Sequence, residues 1–156
     1  MKEKGILNSE ISKRLSDLGH TDLIAIGDCG LPIDPEKKID LALKLGQPKF
    51  IDVLEILLED FGCEHYILAS EIKDKNPDQE KAIVNLLEGV SSEYICHEDF
   101  KKKLEHVKFV IRTGENTPYS NIILQSKIFF RSIYEYWNER YLQVLWKKWC
   151  LKGCRF

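Results

Sequence analysis

No apolar run in the chain approaches the roughly 18 residues that a membrane-spanning helix needs. The opening residues, M-K-E-K-G-I-L-N, lack the apolar core of a secretory signal. The five cysteines, at 29, 63, 96, 150 and 154, are odd in number, scattered, and never form C-x-x-C. Neither a zinc site nor a disulfide framework is signalled, so thiols in a reducing compartment are expected. There is no P-loop, no G-x-G-x-x-G, no G-x-S-x-G and no H-E-x-x-H. ATP-binding, dinucleotide, esterase and zinc-protease readings lose their main support. A formal net charge of −2 argues against a general nucleic-acid binder. What these absences leave is a cytoplasmic chain with neither membrane nor nucleic acid as partner.

What is present is globular: 156 residues, 44% hydrophobic and 31% charged, enough to bury a core. The charge is unevenly spread. Residues 126–156 hold seven Lys or Arg against Glu135 and Glu139, a balance of +5, so the preceding 125 residues carry −2 − 5 = −7.

Ser9 is placed to cap a helix with Ile11, Leu15 and Leu18 on one face and Gly19 as its left-handed stop. His20 follows that helix end, where the helix dipole favours a protonated imidazole. Leu23 to Ile26 reads as a strand covered on both faces, with Asp28 where it stops. Further along, 39–45 looks like a short helix and 51–61 a stronger one. His65 to Ser70 reads as a second strand, and Asn76-Pro77 opens another helix with Asn as cap. Strands are expected over 93–96, 108–112 and 119–125, with a helix over 98–104. The alternation predicts an α/β single domain, a mostly parallel sheet with helices on both faces. The last strand follows its predecessor through a short turn, which allows antiparallel pairing or an edge position.

The polar residues at strand ends are the candidates for chemistry: His20, Asp28, His97, Tyr119 and Asn121. In α/β sheets ligands meet the carboxyl ends of strands, so Asp28 either meets a substrate or caps the turn that follows. His65 and His106 lie inside or beside regular elements and read as structural or surface residues. Cys96 beside His97 lacks further ligands at metal spacing. His, Asp, Tyr and Asn without a metal motif suit hydrogen bonding and proton transfer on a polyhydroxyl ligand.

Several long motifs, in order, carry a resemblance. They are G-I-L-N at 5–8, L-G-H-T-D at 18–22, D-C-G-L-P at 28–32, K-I-D-L-A-L at 38–43, E-I-K at 71–73, H-E-D-F at 97–100, and I-R-T-G-E-N-T-P-Y-S-N-I-I-L-Q at 111–125. Over about residues 1–126 the chain resembles the D-ribose pyranase family, related to the L-fucose mutarotases. The resemblance implies interconversion of β-D-ribopyranose and β-D-ribofuranose without a cofactor or metal. By it His20 is the catalytic acid/base, and Asp28, His97, Tyr119 and Asn121 hold the sugar. It also implies a homo-oligomer, a decamer of two pentameric rings, with sites at subunit boundaries. A mutarotase for another sugar such as L-fucose, or a non-catalytic sugar-binding module, is the alternative.

The pattern breaks after Gln125, where Lys127 stands in place of an expected Gly. Residues 1–130 are therefore read as the family domain and 131–156 as a basic, aromatic extension, helical or disordered. From 126 onward lie all three tryptophans and nine of the sixteen aromatic residues. A shifted frame running past the usual stop is the favoured origin; an amphipathic helix for a membrane surface or partner groove is the other.

Overall fold

The computed structural model describes residue 3 and residues 5–128. The extension expected over 131–156 lies outside the described residues. Six strands form one sheet: β1 (Leu23–Gly27), β2 (Lys38–Asp40), β3 (Cys63–Ala69), β4 (Ser91–Ile95), β5 (Val110–Arg112) and β6 (Ile122–Ser126). Their order is β2-β5-β1-β6-β3-β4. Pairs β1–β5, β2–β5 and β3–β4 are parallel, while β6 is antiparallel to both β1 and β3. The sheet is mixed, and the last strand sits at its centre rather than an edge. Ile122, Ile123 and Leu124 are fully buried, a degree of burial that an edge strand does not provide.

Helices cover both faces, as the alternation predicts. Successive strand residues point to opposite sides. Ile24 and Ile26 of β1 join one core with Ile11 of α1 (Ser9–Ser16), Phe50, Val53, Leu54 and Leu57 of α2 (Phe50–Asp60), Ile72 of α3 (Ile72–Lys75) and Ile83 of α4 (Pro77–Leu86). Ala25 joins the other, with Phe100 of α5 (His97–Lys103), Leu104 and Leu31. In α2 the spacing Phe50, Val53, Leu54, Leu57 is one helical stripe. Truncating fully buried Leu54 to Ala is expected to cost about 2–5 kcal/mol.

Four local expectations need correction. Residues 39–45 do not form a helix: Ile39 lies in β2, paired with Ile111, and Leu43 N–H donates to the Gln47 carbonyl in a turn containing the cis Gln47–Pro48 bond. Strand pairing won because Lys38–Asp40 lie in register beside Val110–Arg112 of β5, and the exposed Leu43 and Leu45 have no core face to bury as a helix would need. The cap of α1 is Asn8, whose side chain accepts from Ile11 N–H at 3.0 Å, not Ser9. Gly19 is not the left-handed residue after α1; Thr21 is, at φ 67°. Asn76 precedes α4 but makes no cap bond; its side chain instead directs its amide nitrogen to the loop at 117–120.

Candidate functional site

The carboxyl ends of β1, β3 and β4 open on one edge of the sheet, and antiparallel β6 starts from that same edge. Four of the five candidate residues collect there. Asp28 follows β1 and is locked to Asn121 before β6: Asn121 Nδ2 donates to Asp28 Oδ2 at 2.8 Å, and Asp28 N–H donates to Asn121 Oδ1 at 2.9 Å. The second carboxylate oxygen of Asp28 accepts from Gly30 N–H at 2.9 Å. Each oxygen keeps a lone pair for a further donor. Asn121 is buried, with both ends of its amide committed to residue 28. Gly27 makes this approach possible, since a Cβ there would stand 2.5 Å from Leu31 Cδ2 and 3.2 Å from Asn121 Oδ1.

The loop between β5 and β6 is tied to β1 on its way to Asn121. Thr113 Oγ1 donates to the Gly27 carbonyl at 2.9 Å, and Cys29 N–H donates to the Glu115 carbonyl at 2.8 Å. Residues on both sides of Asp28 are thus pinned. Arg112 adds Nε and Nη2 bonds to the Cys29 carbonyl while pairing with Asp40 at 2.8 Å. A Cβ on Gly114 would collide with the carbonyls of Gln47 and Lys44, so only glycine passes between them.

Glu115 is buried and its carboxylate accepts four bonds: from Asn116 N–H, Thr117 N–H and Thr117 Oγ1 at 3.0–3.1 Å, and from Phe50 N–H at 3.3 Å. Burial alone would raise its pKa. The bonds from Thr117, Phe50 and Asn116 outweigh that and hold it below the ordinary carboxylate value. Tyr119 follows in the left-handed region at φ 57°, uncommon for a bulky side chain.

His97 opens α5 at the end of β4. Its N–H donates to both oxygens of Glu71, at 3.0 and 3.1 Å, and that bond is the main cause of the lowered Glu71 pKa. Its ring stands edge-on to Tyr119 at 5.2 Å and stacks on Phe100 at 6.3 Å. His97 Nδ1 is buried with no partner among the described residues. Side by side are a carboxylate acceptor, an amide, a phenol and an imidazole with a spare nitrogen, a set that can hold several hydroxyls at once.

His20 is not with them. It precedes β1 at the amino edge of the parallel strands, with Nε2 at 3.0 Å from Glu64 Oε2, both side chains nearly half exposed. The five residues of β1 put roughly 16 Å between the two edges within one chain. Asp28 therefore does not orient the His20 of its own chain. His65 bonds Ser91 Oγ at 2.7 Å, and His106 ends a short 3-10 turn.

Glu71, Asn76, Glu115, Arg112 and Glu64 were not among the candidates. A carboxylate closing T-G-E after a strand, and Glu71 just past β3, were the available signals. Nothing local marks Asn76 as anything but a helix cap. Among the described residues no three His, Cys, Asp or Glu side chains converge as a metal site, and no helix is long and apolar enough to cross a membrane. Cys29, Cys63 and Cys96 are free thiols, and burial pushes Cys63 up to about 11.

The RbsD / FucU transport protein family model matches residues 1–129. A D-ribose pyranase of Streptococcus uberis is 55% identical over 130 residues, 82% of this chain and 98% of that protein. One from Bacillus cytotoxicus is 50% identical over 131 residues, covering 83% and 100%. Among solved structures, Bacillus subtilis RbsD complexed with D-ribose superposes with a TM-score of 0.81 at 49% identity, covering 83% of this chain and all of that one. The fucose mutarotase of Streptococcus pneumoniae, in complex with L-fucose, shares the fold at TM-score 0.68 and 20% identity, over 80% of this chain and 95% of that one.

Proposed function

The chain belongs to the RbsD / FucU transport protein family, and on that premise we propose that it is a D-ribose pyranase, an isomerase interconverting β-D-ribopyranose and β-D-ribofuranose. The observation that carries the reading is the 55% identity across 98% of a protein of that name. Breaking C1–O5 of the pyranose requires a proton to reach O5 while the C1 hydroxyl loses one, giving the open aldehyde. Rotation brings the C4 hydroxyl to C1. O4 then bonds C1 and releases its proton, and the carbonyl oxygen takes one up. Atoms and protons balance within one sugar, so an acid/base group and a shaped site suffice.

His20 is the acid/base group in this reading. An imidazole can give and take a proton near neutral pH, and its half-exposed ring leaves room for a substrate. Asp28, His97, Tyr119 and Asn121 hold the sugar, with Asp28 accepting hydroxyl protons on its free lone pairs. Because His20 lies at the opposite edge from these four, the working site joins the carboxyl edge of one copy to the amino edge of another. A closed ring supplies that join at every boundary, and two stacked pentamers, a decamer, are the assembly proposed. Apolar side chains left open on one chain support burial between copies: Leu43 is 86% exposed, Leu7 72%, Leu45 71% and Ile56 50%. The cytoplasm, where ribose would be passed to an enzyme requiring one ring form and thiols stay reduced, is the proposed location.

Saturation-transfer NMR between the ring forms of ribose tests the reading, with wild type and His20→Ala. Exchange well above the protein-free rate, abolished in the variant, is expected. Exchange equal to that control would leave a sugar-binding module, and faster exchange of L-fucose than ribose would make the chain a fucose mutarotase.

A further inference from the structure

Tyr119 holds a backbone conformation at φ 57° that a bulky residue seldom adopts unaided. Something must over-determine it, and two polar side chains outside the sugar-holding set bond the loop residues around it, Glu115 those at 116 and 117 and Asn76 those at 118 and 120. We infer that Glu115 and Asn76 are positioning residues for sugar recognition, acting through Tyr119 by setting the 115–121 turn before any sugar arrives. The inference rests on the reading of Tyr119 as a sugar-holding residue.

The hydrogen-bond directions form a chain with one fixed end. An ionised carboxylate can only accept, so the Thr117 hydroxyl donates its single proton to Glu115 Oε1 at 3.0 Å. Thr117 Oγ1 then receives Ser120 Oγ at 2.8 Å and Asn76 Nδ2 at 3.1 Å. The same Asn76 amide lies 3.0 Å from the Pro118 carbonyl, the peptide immediately before Tyr119. Residues on both sides of Tyr119 therefore share the two N–H donors of one amide, carried by the residue that precedes α4. At the other end, the second oxygen of Glu115 accepts from Phe50 N–H, the first residue of α2. The turn is therefore braced between two helix starts. The Tyr119 ring in turn packs edge-on against His97, so the brace reaches two of the four sugar-holding side chains.

Charge is the working feature of Glu115. A glutamine keeps one accepting oxygen but presents an N–H₂ to Phe50 N–H or to Thr117, reversing part of the chain. In exchange measurements at varied ribose concentration, Glu115→Gln is expected to raise KM about tenfold with kcat changed less than about threefold, as for loss of a charged acceptor. Asn76→Ala is expected to raise KM about fivefold, and Glu115→Asp, which keeps the charge, to fall between Gln and wild type. A structural defect elsewhere would not produce the decisive result. In a Tyr119→Ala background, where KM is already raised, neither change should add more than about twofold. Full additivity, or a Glu115→Gln variant with wild-type KM, overturns the inference. Should Glu115→Gln fail to fold, half-buried Asn76 carries the same cycle alone. If Tyr119→Ala itself leaves KM unchanged, the site reading falls and this inference falls with it.

Discussion

The two edges of the sheet are built on different principles. At the carboxyl edge, Asp28 and Asn121 exchange two bonds, Glu115 accepts four, and Glu71 receives His97 with both oxygens. At the amino edge His20 has one side-chain partner among the described residues, Glu64, with both groups nearly half exposed. Each edge contains a left-handed residue, Tyr119 at one and Thr21 at the other. The first is braced by Asn76 from outside its loop; Thr21 is held within its own turn, where the Asp22 carboxylate accepts from Gly19 N–H at 2.9 Å and Thr21 N–H donates to the Ser126 carbonyl at 3.3 Å. Groups that must present fixed acceptors and donors to a rigid sugar gain from preorganisation. A group that passes a proton between two oxygens must change partners, and a single exposed bond permits it.

The widest separation between the edges should appear on replacing one residue from each. His20→Ala is expected to lower the rate of ring exchange by about 10²–10⁴-fold while ribose still binds, as removal of a general acid/base does. Calorimetric titration of the variant with ribose checks the second half. If binding is lost as well, His20 holds the sugar and the division of labour is wrong.

At the braced edge, Asp28→Asn puts an N–H₂ against either Asn121 Nδ2 or Gly30 N–H, both donors. KM for ribose should rise about 10–100-fold, the scale of a partly buried charged acceptor removed from a network. Mixing the two impaired chains, assayed at ribose well below the raised KM of Asp28→Asn, gives a sharper comparison. If sites join two copies, co-assembled His20→Ala and Asp28→Asn subunits should regain about a quarter of wild-type activity, since random pairing restores that share of boundaries. Mixtures no more active than the average of the two parents would mean that both residues serve a site within one chain.

The braced edge also depends on pH in a way that its charges dictate. Glu71 and Glu115 both titrate below the ordinary 4.5 in the folded chain. A lowered folded pKa stabilises the fold fully above the unfolded value, and the contribution is lost as pH falls through the folded pKa. The thermal midpoint should therefore drop on acidification below about pH 4.5. Glu115→Gln should start lower at neutral pH and lose less on acidification, the two curves converging at low pH. Parallel curves would show that the Glu115 carboxylate is not held as charge.

Much of this contrast was legible in the sequence, but only one side of it. Apolar runs such as Leu23–Ile26 and the α2 stripe report burial directly, so the elements and the α/β class follow from them. Asp28, His97, Tyr119 and Asn121 were legible as polar residues at strand ends. The central place of β6 was not, because pairing order depends on which edges meet after folding. Nor was β2, where Lys38–Asp40 is strand through its partner β5 rather than its own three residues. The braces were hidden for a related reason. Asn76 has the spacing of a helix cap, yet its amide turns to a loop 41–44 residues away. Glu115 ends a turn motif, and its acceptor role depends on Phe50, 65 residues earlier. Long-range polar satisfaction leaves no periodic trace.

The smallest effect expected is at Glu64, and it tests the comparison most directly. Were the amino edge built like the carboxyl edge, removing the Glu64 acceptor of His20 would misplace the imidazole and cost as much as losing Asp28. An ion pair this exposed contributes little, because water and salt replace the partner and two side chains must be ordered to form it. Glu64→Gln keeps an accepting oxygen at the same reach. It should change kcat/KM for ribose by less than about fivefold, with the difference shrinking as salt is raised. A loss of a hundredfold or more would show that His20 relies on a fixed carboxylate after all. The two edges would then differ in exposure but not in how strictly they hold their working groups.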